Sequence, residues 1–562
     1  MSGLMASMLW MRSVLPHLPH LPHLPHPPFV SVSRLPVSSL LALAPIVSSR
    51  LFAKKSLISI DKEAAETNYR RALNWWDLTA LGIAAIIGSG IFVLTGKVAH
   101  SVAGPSVIIS FIISGIVSAL AALCYAEMAS MVNISGSAYS YTYVTLGEFI
   151  AWILGWDLIL EYLVGSAAVA VGWSYYFSSF VADVSNNPFA FDPRWVNAPV
   201  FWSTTPVPGF YANPVTLADG TTANAIMNVP AAVLTILLTI ILCLGIRQSA
   251  WVINFFVALK LLVVLLFIFA GIAYVRPQNW SPFIPTYDPV QDTFGNPGIF
   301  KAALTVFFAY IGFDAVSTTA QEAKNPQRDL PIGILLSLGI CTVLYIVVCI
   351  ILTGIVPYTE IPITSPVSGA MKIAGAPQWI VVTIELGAIF GLASVMAALM
   401  TGQPRIFQAM ANDGLLPKVI AHINPKTQTP VVAIIICGVI VAAASAVLPV
   451  DVLADLTSVG TLLAFFVVSV SVWILRWTDR DRPRRFSIPG GFIIGGNIIP
   501  GLSAIASLAL IWVGGSTTIT IRVFAWMGIG LFLVYLTFGF WKSKARFPVA
   551  AEVQADEVDG KL

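Results

Sequence analysis

Charge is scarce in this chain. Only 10% of its 562 residues are Asp, Glu, Lys or Arg, 57% are hydrophobic, and the mean hydropathy is +0.85. Soluble globular chains carry roughly 25% charged residues, so the composition excludes an ordinary water-soluble domain and points to a bilayer. Cysteine is also sparse. Cys124, Cys243, Cys341, Cys349 and Cys437 all fall inside apolar runs, without the spacing of a disulfide framework or a metal module. Beyond the first 26 residues histidine occurs only at His100 and His422. Neither has a nucleophile or acid pair for company, so no catalytic centre, cofactor or metal is expected. The basic residues do not gather into one domain and the formal net charge is only +3, which argues against a nucleic-acid partner.

Acidic residues are missing from positions 1–60, which are Ser-rich and carry Arg12, Arg34 and Arg50. Such composition resembles an organelle transit segment. The repeated Leu-Pro-His triplets from Leu18 to His26 forbid a helix there and read as extended low-complexity chain. Residues 1–70 are therefore expected to be a disordered leader with a targeting role left open. Residues 546–562, with Glu552, Asp556, Glu557 and Asp559, read as an acidic cytoplasmic tail.

About 20 apolar residues cross the hydrocarbon core of a bilayer. Twelve such segments are read at roughly 77–98, 104–131, 148–181, 227–247, 251–275, 299–321, 331–356, 377–403, 429–448, 453–476, 496–514 and 521–541. The third is long enough to tilt strongly. Twelve spans put both termini on one side, and the basic residues choose it. Lys54, Lys55, Arg70, Arg71, Arg247, Lys324, Arg328, Arg405, Lys418, Arg476, Arg480, Arg484 and Arg485 share that side, whereas the other has a scatter such as Arg194, Arg276, Lys372 and Arg522. By the positive-inside rule both termini are cytoplasmic. The segment 182–226 then becomes a large outer loop.

The first span contains Ile86-Ile87-Gly88-Ser89-Gly90, a poor way to continue a helix in mid-membrane. Unwinding there frees carbonyls near Ile86 and Ile87 and amides at Gly88, Ser89 and Gly90. The amides would stand at the positive end of a new half-helix, suited to a carboxylate, and the carbonyls suit an ammonium group. One break thus offers both ends of an α-amino acid. Small residues that let helices pack closely are the alternative. The sixth span reads Phe307-Phe308-Ala309-Tyr310-Ile311-Gly312-Phe313-Asp314, again interrupted in the middle. Paired interruptions at matching positions of two five-helix halves mark a transporter site between inverted repeats.

Ionisable groups within the spans are costly and usually face a cavity or a partner. Lys260 lies about nine residues into the fifth span, roughly 13 Å deep at 1.5 Å per residue. A buried amine there can bind and release a proton during transport. Snorkelling to the interface is the competing reading. Asp157 and Glu161 share one helix face. Glu161 could pair with Lys260, meet a cationic substrate or serve structure alone. Asp314 follows the second break and could hold the unwound segment or join a proton path. Glu127 and Glu385 read as structural.

At these residues the chain resembles the amino acid–polyamine–organocation superfamily, and more closely its cationic amino acid transporter family. The segments that carry the likeness are Gly82–Gly96, Phe307–Val316, Glu322–Gly333 and Asp413-Gly414-Leu415-Leu416-Pro417. The resemblance spans about residues 65–545. It implies an all-α membrane fold of the leucine-transporter type. Inverted repeats at about 71–275 and 298–477 would make a ten-helix core, with discontinuous helices one and six, and two further helices at 478–545. It also implies carboxylate contacts at Gly88, Ser89 and Gly90, and amino-group contacts at Ile86, Phe308, Ala309 and Ile311. Lys260 takes the place where sodium-coupled relatives bind an ion, and Glu161 and Asp314 match functional acids. Ser394, with Ala393, is a candidate lining residue from the eighth span.

Together these features lead to an expected secondary carrier of amino acids, proton-coupled or facilitated, with cationic substrates such as arginine and lysine foremost. Neutral or broad specificity and an amino-acid sensor with little flux remain open alternatives. A membrane enzyme lacks the residues it would need, and an ion channel predicts no saturation by amino acids. The plasma membrane is the expected location, with an organellar membrane as the alternative.

Overall fold

A backbone crossing hydrocarbon finds no water for its amides, so apolar runs must close their own hydrogen bonds as helices. The computed structural model describes residues 51–55, 72–132, 136–203, 209–245, 250–427, 429–480, 484–489 and 496–543. The leader, apart from Leu51–Lys55, and the acidic tail lie outside the described residues. Among the described residues, nine helical runs are long and apolar enough to cross a membrane, and three apolar helices are shorter. Divided at their breaks, they form twelve units. These are α1 (Trp75–Ile86 with 90–103), α2 (Val107–Met131), α3 (Glu148–Ser185), α4 (Val229–Cys243), α5 (Ala250–Ile272) and α6 (Gly295–Phe307 with Asp314–Glu322). The second six are α7 (Pro326–Ile355), α8 (Gln378–Asn412), α9 (Val431–Val447), α10 (Val450–Thr478), α11 (Gly496–Gly514) and α12 (Thr517–Lys542).

Local signals explain the ends. Asn74 caps α1 by accepting from the Trp76 and Asp77 amides, and Asp77 accepts in return from the Asn74 amide at 3.1 Å. This reciprocal capping satisfies exposed donors and starts α1 two residues before the expected span. Pro326 begins α7, where its missing N–H costs nothing. At 38 residues α3 is about 57 Å long at 1.5 Å per residue, so it must tilt, as its length predicts.

The helices of the first half pack on their counterparts five positions later: α2 on α7, α3 on α8, α4 on α9, and the broken middle of α1 on that of α6. α5 lies against α8, α7 and the first half of α1. The last two helices sit outside this core. α11 covers α10, α6 and α2, while α12 stacks Trp526 on Trp156 of α3 at 4.9 Å between ring centroids. Described parts of the 182–226 loop form two short hairpins, pairing Val200–Ser203 with Gly209–Ala212 and Pro214–Thr216 with Thr222–Asn224. A short helix at Pro366–Ile373 lies over the second half of α1, at the end that bears the hairpins. Another at Ser137–Thr145 joins the opposite end, against α3 and α10. The five cysteines are all free, and four of them are buried.

Candidate functional site

Both expected breaks are present. The first half of α1 ends at Ile86, and Ile87 turns extended at ψ 92°. The helix resumes past Gly88-Ser89 with a widened turn at Gly90–Leu94. In α6 the helix tightens at Phe308–Tyr310 and Ile311 is extended, with φ −65° and ψ 138°. Gly312 then adopts φ +120°, a left-handed conformation that L side chains resist. The two breaks face each other. A Cβ on Gly312 would lie 2.8 Å from the Ala85 carbonyl carbon, and one on Gly90 would lie 2.3 Å from Ala309 Cα. Glycine at these two positions is what lets the unwound segments touch.

Between the breaks lies a cavity of about 10 Å³, room for about one water molecule. Of the expected site residues, Ile86, Gly88, Ser89, Gly90, Phe308, Ile311 and Glu161 line it. Ala309 does not; it supports Gly90 from behind. Ser394 does not line it either. Its Oγ donates back to the Gly391 carbonyl at 2.7 Å, and α8 instead presents Val395 and Leu399. Successive helical residues point about 100° apart, so an error of one position moves a side chain off the wall. Gly165 and Val169 of α3 complete the lining. The sequence reading did not name them, though their four-residue steps from Glu161 put all three on one face.

Freed backbone groups find side-chain partners across the core. Lys260, fully buried on α5, donates from Nζ to the carbonyls of Ala84 at 2.8 Å and Ile87 at 3.3 Å. Tyr345 of α7 donates to the Ile86 carbonyl at 2.8 Å. These contacts place an ammonium and a hydroxyl at the negative end of the first half-helix. Lys260 therefore neither snorkels nor pairs with Glu161: it caps the broken helix. Tyr345 went unrecognised because one tyrosine in an apolar run has no periodic signature.

Glu161 sits beside Asp314 instead, within reach of a bond between the two carboxyls, which forms only when one of them holds a proton. Tyr162 donates to Asp314 Oδ2 at 2.8 Å. As a carboxylate, Glu161 has only the Thr461 hydroxyl beside it as a donor, both oxygens of Asp157 lack one, and the Ser89 hydroxyl on the cavity wall has no partner among the described residues. A buried polar atom left alone costs about 1–3 kcal/mol, so such groups call for an explanation. Glu127 and Glu385 behave structurally: Glu127 bonds Arg476, and Glu385 accepts from Ser179 at 2.6 Å.

The cavity is closed at both ends. Toward the hairpins, Tyr176 donates to the Phe92 carbonyl at 2.7 Å, Lys97 pairs with Asp451 at 2.9 Å, and Lys372 of the 366–373 helix pairs with Asp183. Toward the opposite face, Lys55 pairs with Asp413 at 3.0 Å and Arg405 with Glu322 at 2.9 Å. There the Leu73 amide donates to the Glu322 carbonyl at 3.0 Å.

A family model described as amino acid permease matches residues 73–539. The chain is 43% identical over 488 residues to a branched-chain amino acid permease of Bacillus subtilis, covering 86% of this chain and 97% of that protein. A methylthioribose transporter of the same organism is 41% identical, covering 87% and 98%. A vacuolar cationic amino acid transporter of Arabidopsis thaliana is 39% identical over 77% of this chain and 64% of its own length.

Proposed function

Because this chain belongs to the amino acid permease family, we propose that the cavity between its two broken helices holds an amino acid during alternating access. The observation that carries this reading is a cavity whose wall bears the unpartnered Ser89 hydroxyl and the buried acid Glu161 beside interrupted backbone. The substrate carboxylate meets the amides of Gly88, Ser89 and Gly90, with the Ser89 hydroxyl as a further donor. The ammonium group meets carbonyls of Ile86, Phe308 and Ile311, which line the cavity, the Ile86 carbonyl sharing its second lone pair with Tyr345; Ala309, off the wall, serves by holding Gly90 in place. Both interactions are charge-assisted and set where a helix dipole reinforces them.

Lys260 is the coupling residue of this proposal. Its ammonium holds the Ala84 and Ile87 carbonyls, so losing its proton loosens the first half of α1 as cargo moves. Glu161 and Asp314 form a second proton-holding pair beside the cavity. The two halves, about 71–275 and 298–477, rock about this site, and 478–545 packs outside them. The end bearing Leu51–Lys55 faces the cytoplasm, because the basic residues gather there.

For the side chain, the wall offers Val169, Phe308, Val395 and Leu399, which favours aliphatic cargo, in keeping with the name of the Bacillus branched-chain relative. A second reading, arginine or lysine, rests on Glu161, an acid on that same wall. Competition panels against labelled leucine uptake and, in parallel, labelled arginine uptake in proteoliposomes, run at two pH values, separate them. Each should contain the twenty amino acids and methylthioribose. Inhibition by leucine, isoleucine and valine is expected. Inhibition by arginine and lysine alone would select the second reading, and no saturable amino acid uptake would end both.

A further inference from the structure

A second crevice lies far from the transport cavity, at the basic end of α7. Its volume is about 370 Å³, within the range of about 300–1,000 Å³ of small-ligand sites. Arg328, Gln327 and Arg485 line it together with Ile332, Leu335 and Phe486. Two chain segments thus bring one arginine each to a single opening. Arg328 comes from the first turn of α7, and Arg485 from the segment that follows α10.

The two guanidinium groups have no ion-pair partner among the described residues. Nearby carboxylates are committed elsewhere: Glu322 pairs with Arg405, and Glu127 bonds Arg476, with Arg484 at 3.4 Å. Asp329, buried in the same first turn of α7, does not line the crevice. Two like charges held at one opening repel unless an anion lies between them, and guanidinium forks fit phosphate oxygens bidentately.

The apolar part of the lining selects the kind of phosphate. Leu335 stands seven residues beyond Arg328, roughly 10 Å along the helix at 1.5 Å per residue. Beyond the crevice, Leu336 and Val343 on the same stripe of α7 are 38% and 62% exposed, so exposed apolar surface continues from the charged mouth along a helix long enough to cross the bilayer. A free anion uses only the mouth. A phospholipid uses both parts, with its phosphate at the arginines and its first acyl carbons along Leu335 and Phe486. Basic pockets between membrane helices on the cytoplasmic side suit anionic headgroups. We propose that this crevice is a binding site for the phosphate group of an anionic phospholipid of the inner leaflet.

Titration of the purified full-length protein with dioleoyl phosphatidylglycerol, followed by native mass spectrometry, tests this directly. One lipid should bind tightly, and phosphatidylcholine should bind at least several-fold more weakly. The double variant Arg328→Ala/Arg485→Ala should lose on the order of tenfold or more in affinity, and Leu335→Trp should weaken lipid binding without touching the charged mouth. Melting of each lipid-free variant at the wild-type temperature verifies folding. Unchanged phosphatidylglycerol affinity in the double variant would overturn the proposal. So would inorganic phosphate displacing the lipid or stabilising the protein equally well, since the site would then be one for free phosphate.

Discussion

Single residues decide whether the two helices can come apart where they do. Gly312 carries φ +120° and presses on Ala85, so Gly312→Ala combines backbone strain of about 1–3 kcal/mol with a clash against packed backbone. Uptake should fall by more than tenfold while the protein still inserts. Gly339→Ala, a helical position with nothing within 4 Å of the added carbon, should leave uptake and melting temperature unchanged or slightly raised. Equal uptake by the two variants would remove the break from the mechanism. At Lys260 the expected change concerns pH rather than amount of protein. Lys260→Ala removes the donor to two carbonyls and should make uptake independent of the proton gradient while exchange of internal for external substrate persists. A wild-type pH profile in this variant would assign the lysine to structure alone.

Between elements, closure depends on modest contacts. Lys97 on the outer half of α1 and Asp451 on α10 are 26% and 40% exposed, so their pairing contributes at most about 1 kcal/mol. Lys97→Gln should therefore shift the balance of states by only about fivefold or less. The shift can be read as faster labelling of a Val93→Cys reporter by an impermeant maleimide. An unchanged rate would mean that the Tyr176–Phe92 bond and the 366–373 helix hold the outer face without this pair. Much of this level was legible in the sequence. Gly88, Gly90 and Gly312 mark the breaks because they interrupt matching positions of two related spans, whereas Gly387 and Gly402 sit in an unbroken helix and serve close packing. Which face of α8 lines the cavity was not legible, because the positions of Ser394 and Val395 are separated only by helix phase. Lys260 stood out as a buried cation. Its partners, 176 and 173 residues away in sequence, follow from packing that no local pattern encodes.

At the scale of the whole molecule, the ion pair between Glu127 of α2 and Arg476 of α10 ties the core together. Both side chains are fully buried, and Glu127 also accepts from the Ile488 amide at 2.9 Å. Breaking a buried pair on one side costs about 3–5 kcal/mol because it strands a charge, whereas replacing both partners with apolar groups can be neutral. Glu127→Leu should lower the melting temperature sharply in detergent, and Glu127→Leu/Arg476→Leu should recover part of the loss. If the double variant melts no higher than the single one, the carboxylate acts mainly through its other neighbours, the Ile488 amide and Arg484. The uneven distribution of basic residues between the two ends of the helices was readable from sequence alone. This clasp was not, since its two ends lie 349 residues apart.

The chamber between the broken helices has space for about one water and is latched toward both faces. While both latches hold, a space for one water cannot carry a continuous file of them, so protons have no wire along which to hop. Any dissipation of the cell's ion gradients must then wait for one latch to open, and it stops when that latch shuts.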